Sequence, residues 1–358
     1  MLQNWLKPLP PDTLKWAENL PGSSFGKNIV LHRDALPDLR QTRLAFIGLA
    51  EKEAAELRRH LYAMSWAFPE NSFADLGDAR KSDPSFLVPL VYELLSGGVL
   101  PILAGGGDHL APAQFLAYQE AKALVNMAVV DERLTDAYTN MVSPRHPLLF
   151  HLGLIGLQIH QTSPDLSAFL EKQNFDVLRL GKARPGLEEA EPVLRDADLL
   201  AFHLAALKQA EAPGVAGASP SGFFSEEACQ LCRYAGMSDK LTSFGIYGFR
   251  HELDRDGQTA QVAAQMVWYF ADGFFSRKND FPASTDGLTE YIVEMPALHY
   301  QITFWKSVKS GRWWMQVPIA TDRRHQRHRL VPCSYQDYQA AVREELPERL
   351  ARAFARFG

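Results

Sequence analysis

Between about residues 43 and 276 the chain alternates short apolar runs with segments of helical periodicity. RLAFIGLA (43–50) closes on Gly48 and reads as a first strand. KEAAELRRHLYAM and DPSFLVPLVYELLSGG follow as helices, the second ended by a glycine pair. VLPILAGGGDH is a buried strand running into a glycine-rich loop, APAQFLAYQEAKALV a helix and NMAVVDE the next strand. LLFHLGLIGLQ and FDVLRLG read as strands on either side of the helix SPDLSAFLEKQN. The helix LEEAEPVLRDA then leads into the strand DLLAFHL. SEEACQLCRYAGM begins with a serine N-cap and two first-turn glutamates that suit the helix dipole. LTSFGIYGF is a strand, and TAQVAAQMVWYFADGFF is a long amphipathic helix with Ala263, Val267 and Phe270 on one face.

Strands that are apolar throughout are buried on both faces, so the pattern predicts a parallel sheet in a three-layer α/β/α fold. From residue 277 the pattern changes. EYIVEMPALHYQITFWKS and GRWWMQVPI alternate and carry β-branched and aromatic residues, which predicts an antiparallel hairpin around a KSGR turn. CSYQDYQAAVREELPERLARAFARF reads as closing helices. The expected organisation is a Pro-rich N-terminal arm (1–40), an α/β domain (41–278) and a hairpin-and-helix extension packed on it (279–358), with no internal repeat.

Composition narrows the class. Hydrophobic residues make up 46% and charged residues 22%, an ordinary soluble balance. A net charge of -5 argues against nucleic-acid binding and a polybasic membrane surface. The basic run from Arg323 to Arg329 reads as a solvated loop. No stretch approaches the roughly 20 apolar residues of a membrane span, and the N-terminus does not read as a signal peptide. The expected compartment is the cytoplasm. Cys229 and Cys232 have C-x-x-C spacing, but no second ligand pair accompanies them, so a core helix is the expected context.

In parallel sheets, ligands sit beyond the C-terminal ends of the strands. The residues there are Gly105-Gly106-Gly107-Asp108-His109, then Asp131-Glu132-Arg133-Leu134-Thr135. A later strand ends in His203-Leu204-Ala205-Ala206-Leu207-Lys208, followed by Ala212-Pro213-Gly214, and the next in Tyr247-Gly248-Phe249. Gly105–Gly107 lacks the spacing of a phosphate loop, and no G-x-S-x-G elbow is present.

Taken in order, these segments resemble the ureohydrolase superfamily (arginase, agmatinase, formimidoylglutamase). That family reads G-G-D-H, D-A-H-x-D, S-F-D-x-D-x-x-D-P with A-P-G, and V-E-x-x-P-x-x-D. Ser219-Pro220-Ser221-Gly222-Phe223 resembles its P-G-G-L-type turn, and Leu253-Asp254 with Thr259-Ala260 resembles the end of its last motif. The stretches DADLLAFHLAALKQAEAPG and GFFSEEACQLCRYAGMSDKLTSFG are most like the formimidoylglutamase branch. The resemblance covers roughly residues 40–276 and implies an arginase-like fold.

It also implies a di-manganese centre that activates a water for attack on an amidine carbon. Carried over position by position, His109 and Asp131 match the family ligands. Arg133 stands for the second histidine and Thr135 for the next aspartate. His203 and Ala205 stand for an aspartate pair. Lys208 replaces a third aspartate that is not a direct ligand, and Gly248 replaces the glutamate that holds the substrate amidinium. Hard cations need carboxylates, and this set has lost most of them. The expected protein is therefore a pseudoenzyme, a non-catalytic scaffold or binding protein without a cofactor. The alternative is a hydrolase of linear amidine C–N bonds using one transition metal (zinc, manganese or iron) on His109, Asp131 and His203. The same residues also fit relic polar groups paired with Arg133 and Lys208. Arg133 is expected to pair with a carboxylate in the pocket, Asp131 first, with Asp108 and Glu132 as alternatives. Partners are open: a protein partner or self-association, with Trp305, Trp313 and Trp314 as a candidate contact surface.

Overall fold

A computed structural model describes residues 2–120, 124–135, 138, 141–142, 146–296, 299–317 and 328–357. The principal helices are α1 (Pro11–Glu18), α2 (Glu51–Ala63), α3 (Pro84–Ser96), α4 (Pro112–Glu120), α5 (Pro164–Lys172), α6 (Ala190–Asp196), α7 (Ser225–Gly236), α8 (Gln258–Phe275), α9 (Tyr335–Val342) and α10 (Glu348–Phe357). The main sheet comprises β1 (Leu6–Lys7), β2 (Val30–Leu31), β3 (Leu44–Gly48), β4 (Phe73–Ala79), β5 (Leu100–Ala104), β6 (Val125–Val130), β7 (Leu149–Ile155), β8 (Asp176–Leu178), β9 (Leu199–His203) and β10 (Ser243–Tyr247).

Its order is β1-β4-β3-β5-β10-β9-β6-β7-β8, with β2 also on β4. Every pairing is parallel except that of β1 with β4. Successive strand residues face opposite sides, which divides the core in two. Phe46, Ile102, Phe202 and Ile246 belong to one cluster, and Ile47, Leu103, Val129 and Ala201 to the other. The predicted helix–sheet–helix layering is thus the observed one. The N-terminal segment is more than an arm, because β1 and β2 extend the sheet.

One strand of the main sheet is absent from the apolar pattern. FADLGDA forms β4, with all seven residues buried, although it carries two aspartates. Arg58 of α2 explains how they can be buried. It donates from Nε to Asp75 Oδ2 at 2.8 Å and from Nη1 to Asp78 Oδ1 at 2.7 Å, and Tyr62 Oη donates to Asp75 Oδ2 at 2.7 Å. A buried charge is tolerable when it is paired and hydrogen-bonded in this way. A smaller adjustment concerns α7. Ser225 is its first helical residue, and Glu227 Oε2 accepts the Phe224 N–H at 2.8 Å.

The C-terminal hairpin proves to be part of a four-stranded antiparallel sheet, β11 (Leu288–Met295), β12 (Tyr300–Ser307), β13 (Trp313–Gln316) and β14 (Leu330–Cys333), in that order. Arg195 of α6 fastens it to the main body. Its guanidinium donates to the carbonyls of Trp313 (3.0 Å) and Cys333 (3.1 Å) and lies 4.4 Å from the Trp314 ring. Trp313 and Trp314 are therefore buried and offer no contact surface, while Trp305 is half-buried. Of the basic run, residues 323–327 lie outside the described residues, and His328 is buried against the Phe150 ring. Cys229 and Cys232 are buried on α7, as the core-helix reading requires. Among the described residues no helix is long and apolar enough to cross a membrane.

Candidate functional site

The four central strands β5, β10, β9 and β6 are neighbours, so the segments leaving their C-terminal ends converge. They border a cleft of about 580 Å³. Asp108 and His109 enter it from β5, Asp131, Arg133 and Thr135 from β6, His203 and Ala205 from β9, and Gly248 to Arg250 with Glu252 from β10. Glu53, from the first turn of α2, closes the β3 side. Gly106, at φ +96°, lets its loop turn, and its carbonyl accepts the Gly248 N–H at 2.9 Å.

The floor of the cleft is a buried pair. Asp131 Oδ2 lies 3.9 Å from His203 Nδ1, and both side chains are buried. Asp131 Oδ1 accepts the Glu132 N–H at 2.7 Å, whereas Oδ2 has no hydrogen-bond partner among the described residues. His203 Nε2 is bonded to Tyr138 Oη at 2.6 Å. Behind the histidine, the Tyr247 ring lies 5.5 Å away, and Tyr247 Oη donates to Gln114 Oε1 at 2.7 Å. Burial dominates the electrostatics. It pushes the Asp131 carboxyl up to about 8, against the weaker opposing pull of the Glu132 and Arg133 backbone N–H groups and the Arg133 charge. It pushes the His203 imidazole down to about 4. At neutral pH the pair is a carboxylic acid beside a neutral imidazole.

The other sequence candidates separate from this floor. His109 lines the cleft but is exposed. Arg133 is also exposed at the cleft wall, with no carboxylate within 4.0 Å among the described residues, so the expected ion pair with Asp131, Asp108 or Glu132 is not formed. The cause is geometric: the chain leaves the sheet after Val130, so strand alternation no longer aligns Arg133 with Asp131. Lys208 points elsewhere, with Nζ 3.6 Å from the centre of the Phe224 ring. Relic pairing of Asp131 or His203 with these two cations is therefore not what the structure contains. Thr135, Ala205 and Gly248 do line the cleft.

The surviving motif residues hold backbone. Asp254 accepts the Thr259 and Ala260 N–H groups at 2.9 and 3.0 Å, capping α8. Thr259 Oγ1 in turn accepts the Gly214 N–H at 2.7 Å. At Gly222 a Cβ would fall 2.5 Å from the Leu207 carbonyl carbon, so only glycine fits that turn.

Glu53, His251 and Glu252 were not singled out from sequence. Theirs is the one group of three potential metal-binding side chains whose ligand atoms lie within 4.8 Å of one another among the described residues. His109, Asp131 and His203 do not form such a group. The signal for Glu53 was available, since it follows the first strand end. That for His251 and Glu252 lay inside the fourth motif, beyond the position taken by Gly248. Tyr138 had no signal, since it follows the motif by three residues.

Comparison with known proteins gives a consistent picture. Residues 145–272 match the model of the Arginase family. A formimidoylglutamase from Geobacillus kaustophilus is 26% identical over 304 residues, covering 71% of this chain and 94% of the relative. A second, from Ralstonia nicotianae, is 26% identical over 226 residues, covering 55% and 69%. Formiminoglutamase from Trypanosoma cruzi, solved with manganese, superposes with a TM-score of 0.61 at 17% identity, covering 67% of this chain and 96% of that one. Agmatine ureohydrolase from Thermoplasma volcanium gives 0.54 at 17% identity, covering 73% and 97%.

Proposed function

We propose that this chain, which is similar to the ureohydrolase (arginase) superfamily and to its formimidoylglutamases in particular, is a non-catalytic member that keeps the cleft as a binding pocket and has given up di-manganese amidine hydrolysis. One observation carries this reading. Arg133, Thr135, Ala205 and Gly248 all line the cleft, so the exchanged positions lie within the site.

The donor chemistry supports it. A manganese pair requires several ionised oxygen ligands to balance its charge. On the cleft floor Asp131 is the carboxylate nearest His203 among the described residues, and His203 Nε2 is committed to Tyr138. Arg133 contributes a fixed positive charge to the wall. These residues do not fit the metal pair. Equilibrium dialysis against manganese with electron paramagnetic resonance tests the reading. No spin-coupled pair is expected. Two tightly held manganese ions per chain with a coupled signal would refute it.

A further inference from the structure

The β3 wall of the cleft carries a cluster unrelated to the exchanged positions. Glu53 sits in the first turn of α2, and His251 and Glu252 belong to the turn after β10. His251 Nδ1 lies 3.1 Å from Glu53 Oε1 and 3.1 Å from Glu252 Oε2. Glu53 is largely buried, His251 is one-third exposed, and Glu252 opens to solvent.

Two features separate this cluster from an ordinary surface ion pair. An imidazole Nδ1 carries at most one hydrogen, which points along one direction. It satisfies the Glu53 contact and leaves the equally near Glu252 oxygen without a donor from the ring. A cation between the three atoms serves all of them at once. Tetrahedral zinc with bonds of about 2.0–2.1 Å separates neighbouring ligand atoms by roughly 3.3 Å, close to the two separations here. The backbone is also fixed in place. Phe249 bridges to both Gly106 and Val215, Arg250 N–H donates to the Gly214 carbonyl at 2.8 Å, and Asp254 caps α8 just beyond. The His251 turn is thereby held against the loop after β5.

We infer that Glu53, His251 and Glu252 form a binding site for a single zinc-like divalent cation on the cleft wall. Glu53 and Glu252 border the cleft, so the fourth coordination position faces it and accepts water or an oxygen of a small ligand. The site shares no residue with the proposed loss of the manganese centre and stands or falls separately from it.

The test is calorimetric titration of the metal-stripped, full-length protein with zinc chloride, for wild type and for His251→Ala, Glu53→Gln, Asp131→Asn and His203→Ala. Circular dichroism and metal-free melting temperatures control for folding. Wild type should take up one equivalent. His251→Ala and Glu53→Gln should weaken uptake by about 100-fold or more, because losing even an outer partner of a metal ligand costs roughly 10–100-fold. Asp131→Asn and His203→Ala should bind as wild type does. Absence of zinc uptake, or uptake indifferent to His251→Ala and Glu53→Gln, overturns the inference and leaves the non-catalytic reading untouched. Uptake lost only in Asp131→Asn and His203→Ala also overturns the inference, since the ion then sits on the cleft floor.

Discussion

Asp131 Oδ2 faces His203 Nδ1 across 3.9 Å of buried space, with the far side of the imidazole bound to Tyr138. At that separation and burial, desolvation outweighs mutual attraction, and both groups are neutral near pH 7. Each then contributes a pH dependence to folding. Asp131 is raised from 3.8 to about 8, so its favourable contribution is full below pH 3.8 and is lost as pH rises through about 8. His203 is lowered from 6.5 to about 4, so its contribution is present above pH 6.5 and lost as pH falls through about 4.

Asp131→Asn removes the titrating carboxyl while retaining an oxygen for the Glu132 N–H. Relative to wild type, the variant should gain stability between pH 5 and pH 8, by an amount on the order of a few kcal/mol. Urea denaturation at the two pH values measures this. A stability difference that stays constant across the range would show that Asp131 is ionised in the folded protein.

Arg133 and Arg58 make a contrasting pair. Arg133 is exposed and unpaired among the described residues, so Arg133→Ala should shift stability by no more than about 0.5 kcal/mol. Arg58→Met leaves Asp75 and Asp78 buried without their cation and should cost roughly 3–5 kcal/mol. Chemical denaturation of the two variants side by side decides. A large loss at Arg133 would mean that it has a buried partner after all.

Restoring the family glutamate should fail for a backbone reason. Gly248 has φ +87°, a region that side chains rarely adopt, although a Cβ there meets no atom closer than 4.0 Å. Gly248→Glu should therefore cost about 1–2 kcal/mol and confer no manganese-dependent hydrolysis. A lower melting temperature without activity is the expected result. A variant as stable as wild type would show that the turn readjusts freely.

The layered fold was legible because its strands are uninterrupted apolar runs, and the cleft because strand ends gather there by topology. FADLGDA hid from the same reading because its aspartates are neutralised by Arg58, a partner that sequence spacing does not reveal. The four-stranded C-terminal sheet was seen only as a hairpin, since LVPC is too short to announce β14. Within the site, identities at the strand ends were readable and orientations were not. Arg133 is exposed at the cleft wall without a carboxylate partner among the described residues, and Lys208 stacks on Phe224. Glu53 and His251 meet across 198 positions of sequence, a contact that only the fold brings about.

On the proposed reading the cleft does not run manganese-dependent amidine hydrolysis. That reading is tested most directly by assaying the manganese-supplemented protein for release of urea, formamide or ammonia from arginine, agmatine and formiminoglutamate. No product above the uncatalysed background is predicted. Turnover at an ordinary enzymatic rate, about 1 per second or more, on any of the three would contradict the claim.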